Sequence, residues 1–103
     1  MNKRYIVRYK DEYSYNYLKK KNTYCPDYLE SFFSYRIGKS TVMYKTLKRA
    51  FDRITKLEVD DLHQFEVVEF IVGKTLFESK ITDKVYTYRN LLLYYKLKNL
   101  KTK

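Results

Sequence analysis

The chain opens with a strict alternation of side-chain types. Over residues 4–9, Tyr5, Val7 and Tyr9 alternate with two arginines and an isoleucine. Because successive side chains of a β-strand point to opposite faces of a sheet, this period of two predicts a half-buried strand. Three further tyrosines repeat the same period over 13–18. The charged tripeptide between these two segments predicts a tight turn, so the sequence indicates an N-terminal β-hairpin.

A helical period follows in the middle of the chain. Over residues 47–57, apolar side chains recur every three or four positions, which places them on one side of an α-helix. Thr46 precedes them, and its hydroxyl is suited to accept a hydrogen bond from a free N–H of the first turn. The pattern therefore predicts an amphipathic helix that covers one face of a sheet. Its other side is basic and carries Lys45, Lys48, Arg49, Arg53 and Lys56, together with Asp52.

The last third of the chain predicts a second hairpin and a second helix. Residues 65–72 form an almost continuous apolar run that is typical of a buried strand, and 76–81 is predicted to return as its partner. Asp83 is a candidate N-cap for a helix over 84–100. The run at 85–88 is equally compatible with a strand, and helix is the interpretation that we prefer. The predicted helical face consists of Val85, Tyr88, Leu92 and Tyr95.

Together these elements predict an α+β fold. The segment 28–37 stays open, because its apolar residues fit either a helix or a strand. A chain of 103 residues has the size of one small domain, and no linker divides it, so we expect a single domain over 1–103. The predicted architecture is a small, mostly antiparallel sheet packed by one amphipathic helix and followed by a C-terminal helix, with strands at 4–9, 13–18, 65–72 and 76–81.

Composition adds a basic and aromatic bias. The chain has a formal net charge of +10 at pH 7 and contains 13 tyrosines. Codons rich in A and T favour lysine and tyrosine, so genome composition accounts for part of this excess. Residues 1–56 carry 14 basic and 5 acidic groups, 57–83 carry 2 and 7, and 84–103 carry 6 and 0. If the two basic segments fold to one side, they form a single electropositive face suited to nucleic acid or to another protein.

Two short fragments imitate the end of a phosphate-binding loop. They are Gly38-Lys39-Ser40 and Gly73-Lys74-Thr75. The full motif needs another glycine five residues earlier, where this chain has Phe33 and Val68. We interpret both fragments as ordinary turns and reject an NTPase.

The sequence offers little for catalysis or metal binding. Cys25 and His63 are the only cysteine and histidine, so we expect no zinc site and no intrachain disulfide. A nucleophilic pair of these two residues is open, but no third group that would orient it is evident. Glu66 and Glu69 are predicted to lie on opposite faces of a strand. We therefore expect no enzymatic activity and no cofactor.

Two basic clusters are the candidate binding sites. Lys19, Lys20 and Lys21 are predicted to form a loop near Tyr24, and cations beside aromatic rings suit single-stranded nucleic acid, where rings stack on bases. The second cluster is the basic side of helix 47–57, which can run along a phosphate backbone. The alternative for both clusters is an ordinary solvated surface, because exposed helix faces are usually charged.

Three short motifs follow one another along the chain: RYIVRY at 4–9, YKTLKRAF at 44–51 and FEVVEF at 65–70. In these motifs and their order, the chain resembles short early-region proteins of phages that infect low-G/C Gram-positive bacteria, especially staphylococcal phages. The likeness covers 4–18 and 43–72. Many proteins of this kind block host or defence machinery, and anti-CRISPR proteins are among them. The resemblance implies this context and carries over no functional residue.

The expected function is a non-catalytic phage inhibitor that docks on a host nucleic-acid enzyme, such as a CRISPR effector, in the host bacterial cytoplasm. Its partner would be a host or defence protein bound to nucleic acid, or nucleic acid itself. The alternative is a small basic module that binds DNA or RNA directly. A third class is an assembly protein that pairs through strand edges at 4–9 or 76–81. The early charges argue against a signal peptide, and we expect no membrane partner.

Overall fold

The computed structural model of the chain describes residues 2–20, 33–57, 61–75 and 78–101. Within these residues the backbone forms one five-stranded sheet, two α-helices and a short 3-10 helix. In chain order the elements are β1 (Lys3–Lys10), β2 (Tyr15–Leu18), β3 (Phe33–Ser34), α1 (Leu47–Thr55), the 3-10 helix (Leu62–Gln64), β4 (Phe65–Ile71), β5 (Lys80–Thr87) and α2 (Tyr88–Lys101).

The strands of the sheet lie in the order β3-β2-β1-β4-β5, and all neighbours run antiparallel. The predicted α+β class is confirmed. β1 lies in the centre, because it pairs with β2 on one side and with β4 on the other, from Lys3↔Ile71 to Tyr9↔Phe65. The expectation that residues 4–9 offer a free edge is therefore wrong. β5 is an edge strand of the described sheet, and assembly through it stays a prediction.

The turn between β1 and β2 is organised by Asp11. Its carboxylate accepts hydrogen bonds from the backbone N–H groups of Tyr13 (2.7 Å) and Ser14 (2.8 Å) and from the side chain of Asn16 (2.9 Å). The bond from Asn16, with those from Ser14 and Tyr13, lowers the pKa of the Asp11 carboxyl. Tyr13 belongs to this turn and is 90% exposed. β2 therefore starts at Tyr15, two residues later than the predicted start at 13.

α1 begins where the sequence predicts. Thr46 has an extended backbone, and its hydroxyl accepts a hydrogen bond from the Arg49 N–H at 3.2 Å, so the predicted N-cap is confirmed. The helix is slightly shorter than predicted. Its buried side presents Ala50, Phe51 and Ile54 to the hydrophobic core.

β5 begins and ends later than predicted. The strand that returns beside β4 is not 76–81, because its pairing continues to Glu66↔Thr87. The predicted N-cap at Asp83 is wrong, since this residue lies inside β5. The helix predicted over 84–100 is wrong at its start for the same reason: the backbone of its first residues belongs to a β-ladder.

The C-terminal helix itself is confirmed, and it starts at Tyr88. The Thr87 hydroxyl accepts a hydrogen bond from the Asn90 N–H at 3.2 Å, as an N-cap side chain does. The buried side of α2 contains Tyr88 and Leu91, whereas Val85 belongs to β5 and is exposed. The predicted helical face is therefore wrong in part. No helix in the described ranges is long and apolar enough to cross a membrane.

Hydrophobic side chains are buried on both faces of the sheet. On the face covered by α1 and α2, Val7, Phe65 and Val67 are at most 1% exposed. On the other face, Ile6 and Val68 are fully buried. β4 thus buries side chains in both directions, which explains why its apolar run is interrupted only by Glu66 and Glu69. The second face is covered by the half-buried residues Tyr17, Ile37, Met43, Val72 and Ile81.

The segment 28–37, which the sequence left open, contributes one short strand. Phe33 and Ser34 form β3, and 28–32 lie outside the described residues. Further along, the chain returns to the centre of the sheet, where Tyr5 and Tyr44 exchange two backbone hydrogen bonds of 2.8 Å. This return fixes the start of α1 against β1.

Candidate functional site

The structure describes two of the three lysines of the predicted cluster, Lys19 and Lys20. Lys19 is half-buried and forms a β-bridge with Thr41. Lys20 is exposed, and its backbone N–H donates to the Ser40 carbonyl at 2.8 Å. The end of β2 is therefore tied to the segment that follows β3. Two further predicted residues lie outside the described ranges: Lys21 and Tyr24.

Two members of the basic side of α1 are already engaged within the protein. Lys48 forms an ion pair with Asp52, one helical turn away, and its ammonium lies 5.2 Å from the centre of the Tyr95 ring. Arg53 is hydrogen-bonded to the Tyr44 phenol. These two side chains contribute to packing between α1 and its surroundings, so we do not expect them to be the strongest contacts to a partner.

The other three members form what we call the cationic row: Lys45, Arg49 and Lys56. All three are exposed, and none has an ion-pair partner among the described residues. Arg49 and Lys56 are seven residues apart, which is about two helical turns, so they lie on the same side of the helix. The row is the part of the predicted site that has positive charge available for a partner.

Tyrosines beside α1 are uncharged at neutral pH, so they do not offset the positive charge of the cationic row. Burial raises the pKa of the Tyr44 phenol, although Arg53 acts in the opposite direction. Burial also raises the pKa of Tyr95 and of Tyr5, and the neighbouring Tyr86 phenol raises that of Tyr5 further. These phenols stay protonated at neutral pH, where they can donate hydrogen bonds.

α2 exposes apolar side chains that belong to neither of the predicted basic clusters. Leu93 and Tyr94 are 50% and 56% exposed. The unbroken apolar run at 91–95 was the available signal, because it is too continuous for one side of a helix. Beside these residues lies an apolar groove of about 520 Å³, lined by Leu47, Tyr86, Asn90, Leu91, Tyr94 and Tyr95.

A second groove, of about 450 Å³, lies on the other face of the sheet. Both Gly-Lys fragments of the sequence contribute to it, since Gly38, Lys39, Gly73 and Lys74 all line it. A third lysine, Lys20, comes from the predicted lysine cluster. We call this cavity the two-turn groove. Its remaining lining residues are Thr41, Met43, Phe70, Val72, Thr75 and Ser79.

Both Gly-Lys fragments lie in turns, as predicted. The Gly38 N–H donates to the Thr41 hydroxyl at 2.8 Å, and the Gly73 N–H donates to the Ser79 hydroxyl at 2.8 Å. Gly38-Lys39-Ser40 leads into the β-bridge at Thr41 and not into a helix, whereas the two residues after Thr75 lie outside the described ranges. Because side chains already occupy these N–H groups, the glycines do not form the backbone cradle of a phosphate-binding loop.

Replacing Gly73 with alanine should lower the free energy of unfolding by about 1–3 kcal/mol. A Cβ at this position would lie 2.7 Å from the Glu78 Cβ and 2.9 Å from its carbonyl carbon, so the turn would have to open. Gly38→Ala is the matched control, because nothing lies within 4 Å of a Cβ built there and neither glycine has a positive φ.

Thermal unfolding followed by circular dichroism checks this pair of variants. Each kcal/mol should lower the Tm of Gly73→Ala by about 4–8 °C. Gly38→Ala should match the parent protein or gain slightly, because alanine has less conformational freedom in the unfolded chain. Equal Tm values for the two variants would contradict the packing seen at Gly73.

The remaining candidates for chemistry are dispersed. His63 is exposed in the 3-10 helix, and its ring meets the edge of Tyr88 at 5.2 Å. Cys25 lies outside the described ranges, so a pair with His63 is not tested. Glu66 and Glu69 lie three positions apart in β4 and therefore on opposite faces of the sheet.

Comparisons with protein-family models, with curated proteins and with solved structures found no match to this chain. The resemblance to phage early-region proteins therefore stays a prediction. A functional proposal has to rest on the geometry of the chain's own residues.

Proposed function

We propose that the protein is a non-catalytic basic module that binds nucleic acid directly, with the cationic row on the phosphate backbone. The observation that carries the proposal is the exposure of Lys45, Arg49 and Lys56 without ion-pair partners among the described residues. Such side chains can replace the counterions of DNA or RNA phosphates. The net charge of +10 adds long-range attraction to a polyanion.

The net charge also favours nucleic acid over the active channel of a host enzyme as the direct partner. A channel that holds nucleic acid is itself basic, so a competitor for the channel should carry negative charge. A basic protein can still block a host enzyme if it covers the nucleic acid that the enzyme needs. This route keeps the expected role of a phage inhibitor in the host cytoplasm, with DNA or RNA as the molecule contacted.

Salt-dependent binding is the primary test. Fluorescence anisotropy would follow labelled duplex DNA, single-stranded DNA and RNA between about 50 and 200 mM salt. If the protein contacts about six phosphates of a duplex, the slope of log K against log salt should be about −5. A flat salt response, or no binding at low salt, would remove the proposal.

Two variants of equal charge separate the cationic row from net charge. The first reverses the row: Lys45→Glu, Arg49→Glu and Lys56→Glu. The second reverses three exposed lysines of β1 and β5: Lys3→Glu, Lys80→Glu and Lys84→Glu. The row variant should reduce the salt slope by about 3 and weaken binding by about tenfold or more, because three phosphate contacts are lost. An equal loss in the β1 and β5 variant would show that the row is not the binding surface.

A second candidate function is docking on a host nucleic-acid enzyme, and the apolar surface of α2 favours it. Leu93 and Tyr94 are half-exposed next to the apolar groove, and such patches mark protein contacts more often than phosphate contacts. A pull-down from nuclease-treated host lysate should then recover a stoichiometric protein that is lost with Leu93→Asp and Tyr94→Asp. Retention of that protein by the α2 variant would remove this candidate.

A further inference from the structure

We propose that the two-turn groove binds the phosphate group of a nucleotide, at a site separate from the cationic row. Lys20, Lys39 and Lys74 reach the groove from three separate parts of the chain. A volume of about 450 Å³ is within the range of small-ligand sites. Because three positive charges around one groove repel each other, a bound anion stabilises this arrangement.

The first turn and the end of β2 hold two of these lysines at the groove. The Gly38 N–H donates to the Thr41 hydroxyl, and the Thr41 N–H returns to the Gly38 carbonyl at 3.1 Å, which closes the turn around Lys39. The Lys20 N–H donates to the Ser40 carbonyl of the same turn at 2.8 Å. The backbone positions of both lysines are thus coupled.

The second turn holds the third lysine. The Gly73 N–H donates to the Ser79 hydroxyl, which itself donates to the Thr75 carbonyl at 2.9 Å. The Lys74 N–H donates to the Glu78 carboxylate at 3.2 Å. Glu78 therefore adds one negative charge beside this turn, and the three lysines outweigh it.

The lining of the groove suits a phosphate that is attached to an organic group. The hydroxyls of Thr41 and Thr75 each accept a backbone hydrogen bond and still carry a proton to donate. Lysine binds phosphate as a point charge and needs no planar partner. The half-buried residues Met43 and Val72 provide an apolar surface for a sugar or a base, which inorganic phosphate would not use.

A phosphate of this kind has two sources, a free nucleotide or the 5′ end of a nucleic acid. The inference does not rest on the proposed function, because the cationic row and the two-turn groove share no residue. An experiment can therefore rule out binding at one site without affecting the proposal for the other.

The test is an NMR titration of the ¹⁵N-labelled protein at low salt. ATP and AMP should shift the backbone amides of Gly38, Lys39, Gly73 and Lys74, and adenosine at the same concentration should not. In the Lys39→Gln/Lys74→Gln variant, the Kd for ATP should rise about tenfold for each lysine lost. The matched variant Lys3→Gln/Lys84→Gln has the same change in charge and should keep the parent affinity.

Oligonucleotides identify the source of the phosphate. A single strand with a 5′-phosphate should shift the same amides if the ligand is the end of a nucleic acid, whereas its unphosphorylated counterpart should not. Shifts with ATP and AMP alone would assign the site to free nucleotides. Absence of amide shifts at the groove with all phosphate probes would overturn the inference, even if oligonucleotides bind through the cationic row. An equal loss of ATP affinity in the matched variant would overturn it as well.

Discussion

Replacing Phe65 with alanine should lower the free energy of unfolding by about 3–5 kcal/mol. Phe65 is 1% exposed at the start of β4. Its ring stacks on Phe33 with centroids 5.7 Å apart and meets the edge of Tyr9 at 5.6 Å. Because these three rings join β4, β3 and β1, the substitution leaves a cavity that no single neighbour can fill.

Urea unfolding followed by circular dichroism measures this loss. The stability of a small domain is about 5–15 kcal/mol, so Phe65→Ala should leave a marginal fold. Phe65→Leu retains part of the buried volume and should lose less, which keeps the comparison possible if the alanine variant does not fold. Tyr13→Ala is the control, because a side chain that is 90% exposed should change stability by less than about 0.5 kcal/mol. Parent-like stability of Phe65→Ala would contradict the described core.

Elements with an uninterrupted period could be predicted from the sequence. β1 alternates, β4 is apolar except for Glu66 and Glu69, and α1 combines a clear 3.6-residue spacing with an N-cap at Thr46. In each case the deciding information lies within one segment of the chain. A local pattern is sufficient when every residue of the segment supports the same structure.

The boundary between β5 and α2 could not be predicted in this way. The run Val85–Tyr88 has side chains that fit a strand and a helix equally well. Its conformation is decided by the pairing of Glu66 with Thr87 and of Val67 with Tyr86. The paired residues are about twenty positions apart, so a short segment of sequence does not contain both partners.

The same limitation applies to the candidate sites. Each Gly-Lys fragment by itself predicts only a turn, whereas the groove exists because folding brings both turns and Lys20 together. The cationic side of α1 was predicted from its period. The contact of Arg53 with Tyr44 was not, because it depends on tertiary packing. For the ion pair of Lys48 with Asp52, the spacing of four residues was the available signal.

The resulting molecule carries positive charge on both sides of its sheet. The cationic row lies on α1 and at its two ends, and α1 covers one face, whereas the lysines of the two-turn groove lie at the other face. One surface suits a repeating phosphate backbone, and the other suits a single phosphate with an organic group. The two proposals therefore assign different ligands to different geometries, so net charge alone explains neither of them.

Arg8 is a positive charge that we expect to take no part in either site, and removing its partner should be destabilising. The side chain of Arg8 is 8% exposed, and its Nε and Nη2 atoms both lie 2.7 Å from the Glu66 carboxylate. The guanidinium also lies 3.9 Å from the centre of the Tyr15 ring. Glu66→Leu leaves this buried charge without its carboxylate and should lower the free energy of unfolding by about 3 kcal/mol.

A double-mutant cycle separates this charge effect from packing. The double variant Arg8→Met/Glu66→Leu should recover most of the stability that Glu66→Leu loses, because it leaves no uncompensated charge in the sheet. If the losses of unfolding free energy in Arg8→Met and Glu66→Leu simply add up in the double variant, Arg8 and Glu66 are not coupled as their geometry indicates. Urea unfolding measures these losses. The double variant also keeps the net charge of the protein unchanged. Its affinity for oligonucleotides should therefore equal that of the parent protein, since Arg8 is used within the fold and the cationic row is intact.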